Sequence, residues 1–420
     1  MTGVSDVGRL DLPEFDHLDP ELRGARWHSA AEGLAERGWL ARSPLAIVVL
    51  DREASEEILR SKATIFPGRR LADMLGIDSG PLREEIDTNL INLNGPDHSR
   101  LRALVSPALN PRAAERHAAS LRELFGEILD PAIAKRRVEA VTEICKPYAS
   151  RAIARLLGAD ERDADQLHDW SLWVQRQFDP VALSHAETRS TVERKVVELR
   201  AWLRALVEDK RREPAEDLAS ELLRAEDEGD SLSPYEVENL LLNVLIGGVD
   251  TTQSQLAHAM RLLAERPDQW SLLRSSPTEL APAAVEEALR FEPVTPFTAR
   301  MAIEDLTVRD IRFPAGTLLL VCSFVGNRDP KAFAPDPQEF DLAAQAERSG
   351  RILTFGAGPH YCLGANLARV ELRVALEVLA ERLESLALLD EPAYGTVSGI
   401  YSLDRAEMDL YAAAGQGRRA

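Results

Sequence analysis

The spacing of apolar and polar positions changes character along the chain. Leu45-Ala-Ile-Val-Val-Leu50 is a short apolar run of β type, and Asp51 then opens a helical pattern through Glu57, Ile58 and Leu59. From about residue 111 to 290, Ala-, Leu-, Glu- and Arg-rich stretches with helical spacing dominate. Breaks are predicted at Pro131, Pro147, Pro180, Pro214 and Pro234. One helix is delimited closely. Ser233 suits the N-cap, Pro234 the first helical position and Glu236 a capping box, and the apolar pattern runs to Arg266 before Pro267 stops it. That is roughly 50 Å of helix at about 1.5 Å per residue, enough to cross the core of the whole protein. Between about 293 and 345 the texture turns to β, with Thr307-Val308, Ile311–Gly316 and Thr317–Cys322 as short strands around a Pro-Ala-Gly turn. No internal repeat and no linker rich in Gly, Ser or Pro divides the 420 residues. The pattern predicts one mainly α domain with a minor β portion (α+β) over residues 1–420. Its β-containing lobe is expected at approximately 40–65 and 293–345, with helix elsewhere and a frayed tail at 415–420.

Charge and cysteine usage narrow the function by exclusion. Lys and Arg number 50 and Asp and Glu 69, a net charge of −19, whereas phosphate binding relies on a basic face, so no nucleic-acid partner is expected. The first 25 residues hold no signal-peptide core, and no window offers about 18 uninterrupted apolar residues, so no membrane association is expected. Three cysteines, Cys145, Cys322 and Cys362, are too few and too scattered for a disulfide framework or a four-thiolate metal site. A reducing, cytoplasmic location follows.

Phe355-Gly-Ala-Gly-Pro-His-Tyr-Cys-Leu-Gly364 is the most informative segment. Its glycines Gly356, Gly358 and Gly364 permit positive φ and close approach to something flat or bulky. Leu363, Leu367, Val370, Val374 and Val378 then trace an amphipathic helix. Cys362 stands at or just before that helix's N-terminus, where the dipole favours a thiolate. Such a thiolate serves an iron or acts as a nucleophile, and the plain alternative is a buried structural cysteine. The nucleophile reading is weakened because His360, two residues away, cannot readily reach the thiol.

The pattern Phe-Gly-x-Gly-x-His-x-Cys-x-Gly, filled at Phe355, Gly356, Gly358, His360, Cys362 and Gly364, resembles the haem-binding loop of the cytochrome P450 family. The resemblance implies haem b (iron protoporphyrin IX) with Cys362 as its axial thiolate and iron ligand, and a long central helix over the haem. Gly247-Gly-Val-Asp-Thr-Thr252, near the middle of the long helix, would on its own fit a helix boundary with Asp250 or Thr251 as N-cap. It resembles the family's acid–alcohol pair, which implies that Asp250 and Thr251 deliver protons and that Gly247 borders the cofactor. Glu287 and Arg290 resemble the family's structural Glu-x-x-Arg pair. An Arg usually completes that cluster after Phe-Asp, but Ala344 stands there, so Arg348 or Arg351 substitutes or the cluster is incomplete. The resemblance also makes His98, Arg102, Arg300 and His360 the expected propionate partners. Gly326-Asn-Arg-Asp-Pro330 matches a family turn in which Ala is common at the first position.

The reading implied is a soluble, monomeric haem-thiolate monooxygenase that uses O2 to oxidise a hydrophobic small molecule. Placed by resemblance, Leu90, Ile91, Val244, Val294, Phe297, Ile400 and Tyr401 line its substrate pocket. No stretch is left for a flavin domain or an iron–sulfur centre. Electrons from NAD(P)H are therefore expected through a ferredoxin or flavodoxin and its reductase, docking on a basic patch of Arg112, Arg348, Arg351 and Arg369. A peroxygenase and a non-catalytic haem sensor are the rival functions, and neither needs the Asp250–Thr251 pair.

Overall fold

The computed structural model describes residues 4–227, 232–348 and 350–413, and the tail expected at 415–420 lies outside the described residues. The chain packs as two compact units, the first formed by residues up to 67, 286–362 and 394–402 and the second by the remainder.

The first unit is built on a five-stranded sheet in the order Leu40–Arg42, Ile47–Val49, Leu318–Cys322, Phe297–Ala302, Thr64–Ile65. Ile47–Val49 pairs parallel with Leu318–Cys322, placing Ile47 beside Leu319. A continuous apolar run suits a strand buried on both faces, and all three residues of Ile47–Val49 are buried. Phe297–Ala302 pairs antiparallel with Leu318–Cys322, Phe297 beside Cys322. One face packs Ile47, Val49, Leu319 and Val321 with Ile58 and Leu59, while Trp27, Phe15, Phe324 and Tyr401 cluster elsewhere in the unit. The helix Arg52–Arg60 is capped by Asp51, whose carboxylate accepts the Ala54 N–H at 2.8 Å.

The second unit is arranged around the long helix, Pro234–Ala264, which runs through Gly247–Thr252 without a break. Asp250 and Thr251 are therefore interior helical residues and not N-caps. The predicted capping box is present, and the helix stops at Ala264 with Glu265 as C-cap, two residues short of Arg266. Most of its residues are buried, as expected of a helix apolar nearly all round. The helices Lys146–Leu157, Ala164–Gln175, Ala186–Arg212 and Ala365–Arg382 pack on it.

Two expectations about elements are corrected. Pro131 does not interrupt a helix but lies inside Ala118–Lys135, where buried Leu124, Phe125, Ile128, Leu129 and Ala132 outweigh the roughly 3 kcal/mol penalty of an interior proline. The stretch after Arg382 is not helical remainder: Leu383–Leu388 pairs with Glu407–Ala412, which pairs in turn with Arg137–Glu139. Among the described residues no helix is long and apolar enough to cross a membrane.

Candidate active site

The cysteine loop is anchored from beneath by side chains of the first unit. Asn327 donates from Nδ2 to Thr354 Oγ1 at 2.9 Å and accepts the Leu353 N–H at 2.6 Å, while Thr354 donates to the Leu289 carbonyl at 2.7 Å. Arg52, buried, donates to the carbonyls of Gly326, at 3.1 Å, and of Arg351. An added Cβ at Gly326, where the family commonly has Ala, would stand 2.6 Å from Leu353 Cδ1, so an Ala there would require the Leu353 side chain to turn. The loop then reverses at Gly356 and Gly358, with φ of +69° and +70°. A Cβ at Gly358 would stand 2.5 Å from the Leu59 carbonyl oxygen, so only glycine lets the loop lie on the end of the helix Arg52–Arg60.

The Cys362 N–H donates back to the Phe355 carbonyl at 2.9 Å and closes the loop. Cys362 is exposed whereas Cys145 and Cys322 are buried, and burial pushes the Cys322 thiol up to about 12 and the Cys145 thiol higher still. Of the three loop glycines, Gly364 does not use the positive φ that glycine permits. Its φ is −82° as N-cap of Ala365–Arg382, and a Cβ there meets no atom within 4 Å, so what this glycine provides is open space.

Glu287 and Arg290 form a fully buried bidentate pair, at 2.7 Å on both contacts. Arg290 spends its remaining N–H groups on the carbonyls of Asn327, Pro337 and Glu339. The cluster is complete despite Ala344. The helix Leu342–Glu347, capped by Asp341, delivers Arg348 just beyond its end, and Arg348 Nη1 reaches Glu287 Oε2 at 2.9 Å with its side chain only 2% exposed. Arg348 is thereby removed from the expected basic patch, because its guanidinium is buried and paired. Arg351 and Arg112 are exposed and Arg369 is half-buried.

The expected propionate partners lie in different settings. Arg300, on Phe297–Ala302, is 2% exposed and donates from Nη1 to the Ala299 carbonyl at 2.9 Å, but its Nη2 is buried without a hydrogen-bond partner. Burial drives its pKa down to about 10. His360, half-buried, ends the turn Gly358–His360. In the second unit, buried His98 and half-buried Arg102 stand four apart on the helix Gly95–Val105.

On the long helix, Thr251 Oγ1 donates to the Gly247 carbonyl at 2.6 Å, which leaves the oxygen lone pairs as acceptors. Gly247 is exposed, with no atom within 4 Å of where its Cβ would be. Desolvation pushes the Asp250 carboxyl up to about 6, with Asp404 adding to the rise and Arg176 opposing it. The next residue, Thr252, donates to Oε2 of buried Glu371 at 3.0 Å, and desolvation raises that carboxyl to about 8. Sequence reasoning missed Glu371 and Arg52 as supports, since an isolated charge on a helix is usually a solvated one, and gave Asn327, within the turn Gly326–Pro330, no role of its own.

Among the expected substrate residues, Leu90 and Val294 are buried, Val244, Phe297 and Ile400 half-buried and Ile91 exposed. Tyr401 packs within the first unit. It is fully buried, its hydroxyl accepts the Gly24 N–H at 3.0 Å, and its ring stacks on Tyr394 at 5.9 Å between centroids.

A family model described as Cytochrome P450 matches residues 38–276 and 276–388. The chain belongs to the cytochrome P450 family. Luteothin monooxygenase of Streptomyces thioluteus is 35% identical over 405 residues, covering 96% of this chain and 97% of that protein. 6-Deoxyerythronolide B hydroxylase of Saccharopolyspora erythraea is 34% identical over 308 residues, 73% of each. Among solved structures, CalO2 superposes with a TM-score of 0.87 at 29% identity over 95% of this P450 and 99% of that chain. P450BioI in complex with a hexadecenoic-acid-ligated acyl carrier protein superposes at 0.82 and 28% identity, over 91% and 98%.

This P450 is a haem-thiolate monooxygenase of small molecules that uses haem b and O2 and takes electrons from separate redox partners. The residues present fit that cofactor. An exposed cysteine follows a loop that only glycines allow, and the buried Arg300 has a guanidinium nitrogen for which a carboxylate is the natural complement.

Proposed function

We propose that Cys362 would hold the haem iron of this P450 as a thiolate, that Asp250 and Thr251 manage its protons, and that its substrate is a hydrophobic small molecule. The observation that carries the reading is the exposure of Cys362, alone among three cysteines, on a loop anchored by Asn327, Arg52 and Gly358. When bound, the haem supplies the activation of dioxygen and the transfer of one oxygen atom to the substrate.

The protein's residues do the rest. The Phe355–Cys362 loop fixes the sulfur's direction, and Arg300 with His98, Arg102 and His360 holds the propionates. A carboxyl titrating near 6 releases and regains a proton close to neutral pH, and Asp250 in that role supplies the Thr251 hydroxyl. The apolar side chains Leu90, Ile91, Val244, Val294, Phe297 and Ile400 exclude water from a lipophilic substrate. Electrons arrive from a ferredoxin or flavodoxin with an NAD(P)H-dependent reductase, in the cytoplasm.

Several relatives are named for luteothin, mycinamicin IV and 6-deoxyerythronolide B, which supports placing these three first in a substrate panel. The test is titration of that panel for the ferric spin-state shift, followed by turnover of the responding compound. Product formed with NADPH, ferredoxin and reductase supports the reading. Product formed with hydrogen peroxide alone, and none with the electron-transfer chain, overturns it in favour of a peroxygenase.

A further inference from the structure

The turn that carries Leu90 and Ile91 is held by polar side chains from two helices of the second unit besides its own. Arg200, on Ala186–Arg212, donates from Nη2 to Glu85 Oε2 at 2.6 Å, with both side chains buried. Asn89 donates to the other oxygen of Glu85 at 2.8 Å and accepts the Ile91 N–H at 3.1 Å. Asn92 donates to the Ile86 carbonyl at 2.9 Å. From the long helix, Asn243 accepts the Leu90 N–H at 3.1 Å while its Nδ2 donates to the Asn239 carbonyl at 2.6 Å. The Asn243 amide is thus held at one end by its own helix and holds the turn at the other.

This arrangement is a poor way to gain stability. A buried ion pair roughly recovers its desolvation penalty at best. Here Arg200 also keeps Nε and Nη1 buried without hydrogen-bond partners. Apolar side chains of the same volume would hold the helix Pro81–Thr88 down as well. What they would not supply is direction. A hydrogen bond to one amide fixes the register of Leu90 against a particular turn of the long helix, the turn that carries Val244 and, three residues on, Gly247.

We propose that Asn243, backed by the Arg200–Glu85–Asn89 chain, is a positioning device that sets where Leu90 and Ile91 stand and thereby which substrates the enzyme admits. The proposal rests on the reading of Leu90, Ile91 and Val244 as substrate-facing. Asn243 touches no reacting atom in it and acts through the turn.

The test compares wild type, Asn243→Leu, Asn243→Asp and the apolar double replacement Glu85→Leu/Arg200→Met, all as holoprotein. Two readouts are taken: hydrogen exchange of peptides covering residues 89–93, and binding of imidazole and of econazole, a small and a bulky iron ligand. Asn243→Leu removes the acceptor and is expected to speed exchange of the Leu90 amide by about tenfold, the factor one ordinary hydrogen bond carries. Econazole affinity is expected to shift by a similar factor and imidazole affinity by less than about twofold. Asn243→Asp keeps the acceptor for Leu90 but loses the donor that holds the side chain to the Asn239 carbonyl, so it should restore both only in part, while the double replacement should repeat the Asn243→Leu signature.

Unchanged exchange in Asn243→Leu overturns the proposal. So does an equal shift of the two ligands, which marks a merely structural role. If Asn243→Leu does not fold, the double replacement decides on the same two readouts. Failure of wild type itself to bind either ligand through iron would overturn the haem reading instead, and exchange at residues 89–93 would still report the Asn243 contact.

Discussion

Glu371 offers the sharpest test of the electrostatics beside the long helix. Its carboxyl is buried on Ala365–Arg382, and the Thr252 hydroxyl donates to it at 3.0 Å. That hydrogen bond favours the charged form, but desolvation is larger and raises the pKa from 4.5 to about 8. The folded protein then keeps a proton that the unfolded chain releases, so the folded state binds more protons between 4.5 and about 8. Stability attributable to this group is fully present below 4.5 and is lost as pH rises through about 8. At about 1.36 kcal/mol per unit, the loss is on the order of 5 kcal/mol once the window has been crossed. Glu371→Gln keeps the side chain's length and an acceptor for Thr252 but cannot ionise. Denaturant unfolding of wild type and variant at pH 5, 6, 7 and 8 checks the sign. The two should nearly coincide at pH 5, and the variant should become progressively more stable than wild type up to pH 8. A gap that stays constant with pH, or that widens as pH falls, would refute the reasoning.

Other perturbations separate roles that the sequence leaves merged. Arg348→Ala removes one partner of the buried Glu287 carboxylate and should destabilise by about 3 kcal/mol in denaturant melts, whereas Arg351→Ala, an exposed side chain, should stay within about 0.5 kcal/mol. Gly358→Ala drives a methyl into the Leu59 carbonyl at a positive φ and should lower stability by about 2 kcal/mol or more, measured as a shift in denaturant midpoint. Asp250→Asn should reduce reductase-driven turnover by about 10²-fold or more and abolish the limb of the pH–rate profile near 6, with the ferrous–carbonyl spectrum unchanged.

The parts of the site legible in the sequence are those where chemistry crowds into few positions. Phe355–Gly364 carries six constrained residues in ten, and the Ser233–Pro234–Glu236 start of the long helix follows a local rule that tertiary contacts do not override. The pair proposed for proton delivery, Asp250 and Thr251, stands beside two glycines that a helix interior does not favour. What escaped depended on contacts across many residues. The choice between Arg348 and Arg351, both named from the sequence, is such a case: Arg348 reaches Glu287 from 61 positions away, and the geometry that delivers it leaves no periodic trace. Leu383–Leu388 follows its helix with no Gly or Pro between them, and Leu383, Leu386 and Leu389, at three-residue intervals, read equally well as helical spacing. Tyr401 and Arg200 show the same gap from opposite sides. An aromatic near a predicted pocket can be core, and a charge on a helix can be buried, and only packing distinguishes the cases.

The central claim is that Cys362, and neither of the other cysteines, is the thiolate that binds iron. The most direct measurement is the difference spectrum of the dithionite-reduced holoprotein with carbon monoxide, for wild type, Cys362→His, Cys145→Ser and Cys322→Ser. Wild type and the two buried-cysteine variants should all show the strongly red-shifted Soret band of a thiolate opposite carbon monoxide, and Cys362→His should show only the shorter-wavelength band of a neutral nitrogen ligand. A red-shifted band that survives in Cys362→His, or one lost with Cys145→Ser or Cys322→Ser while Cys362→His keeps it, would contradict the account.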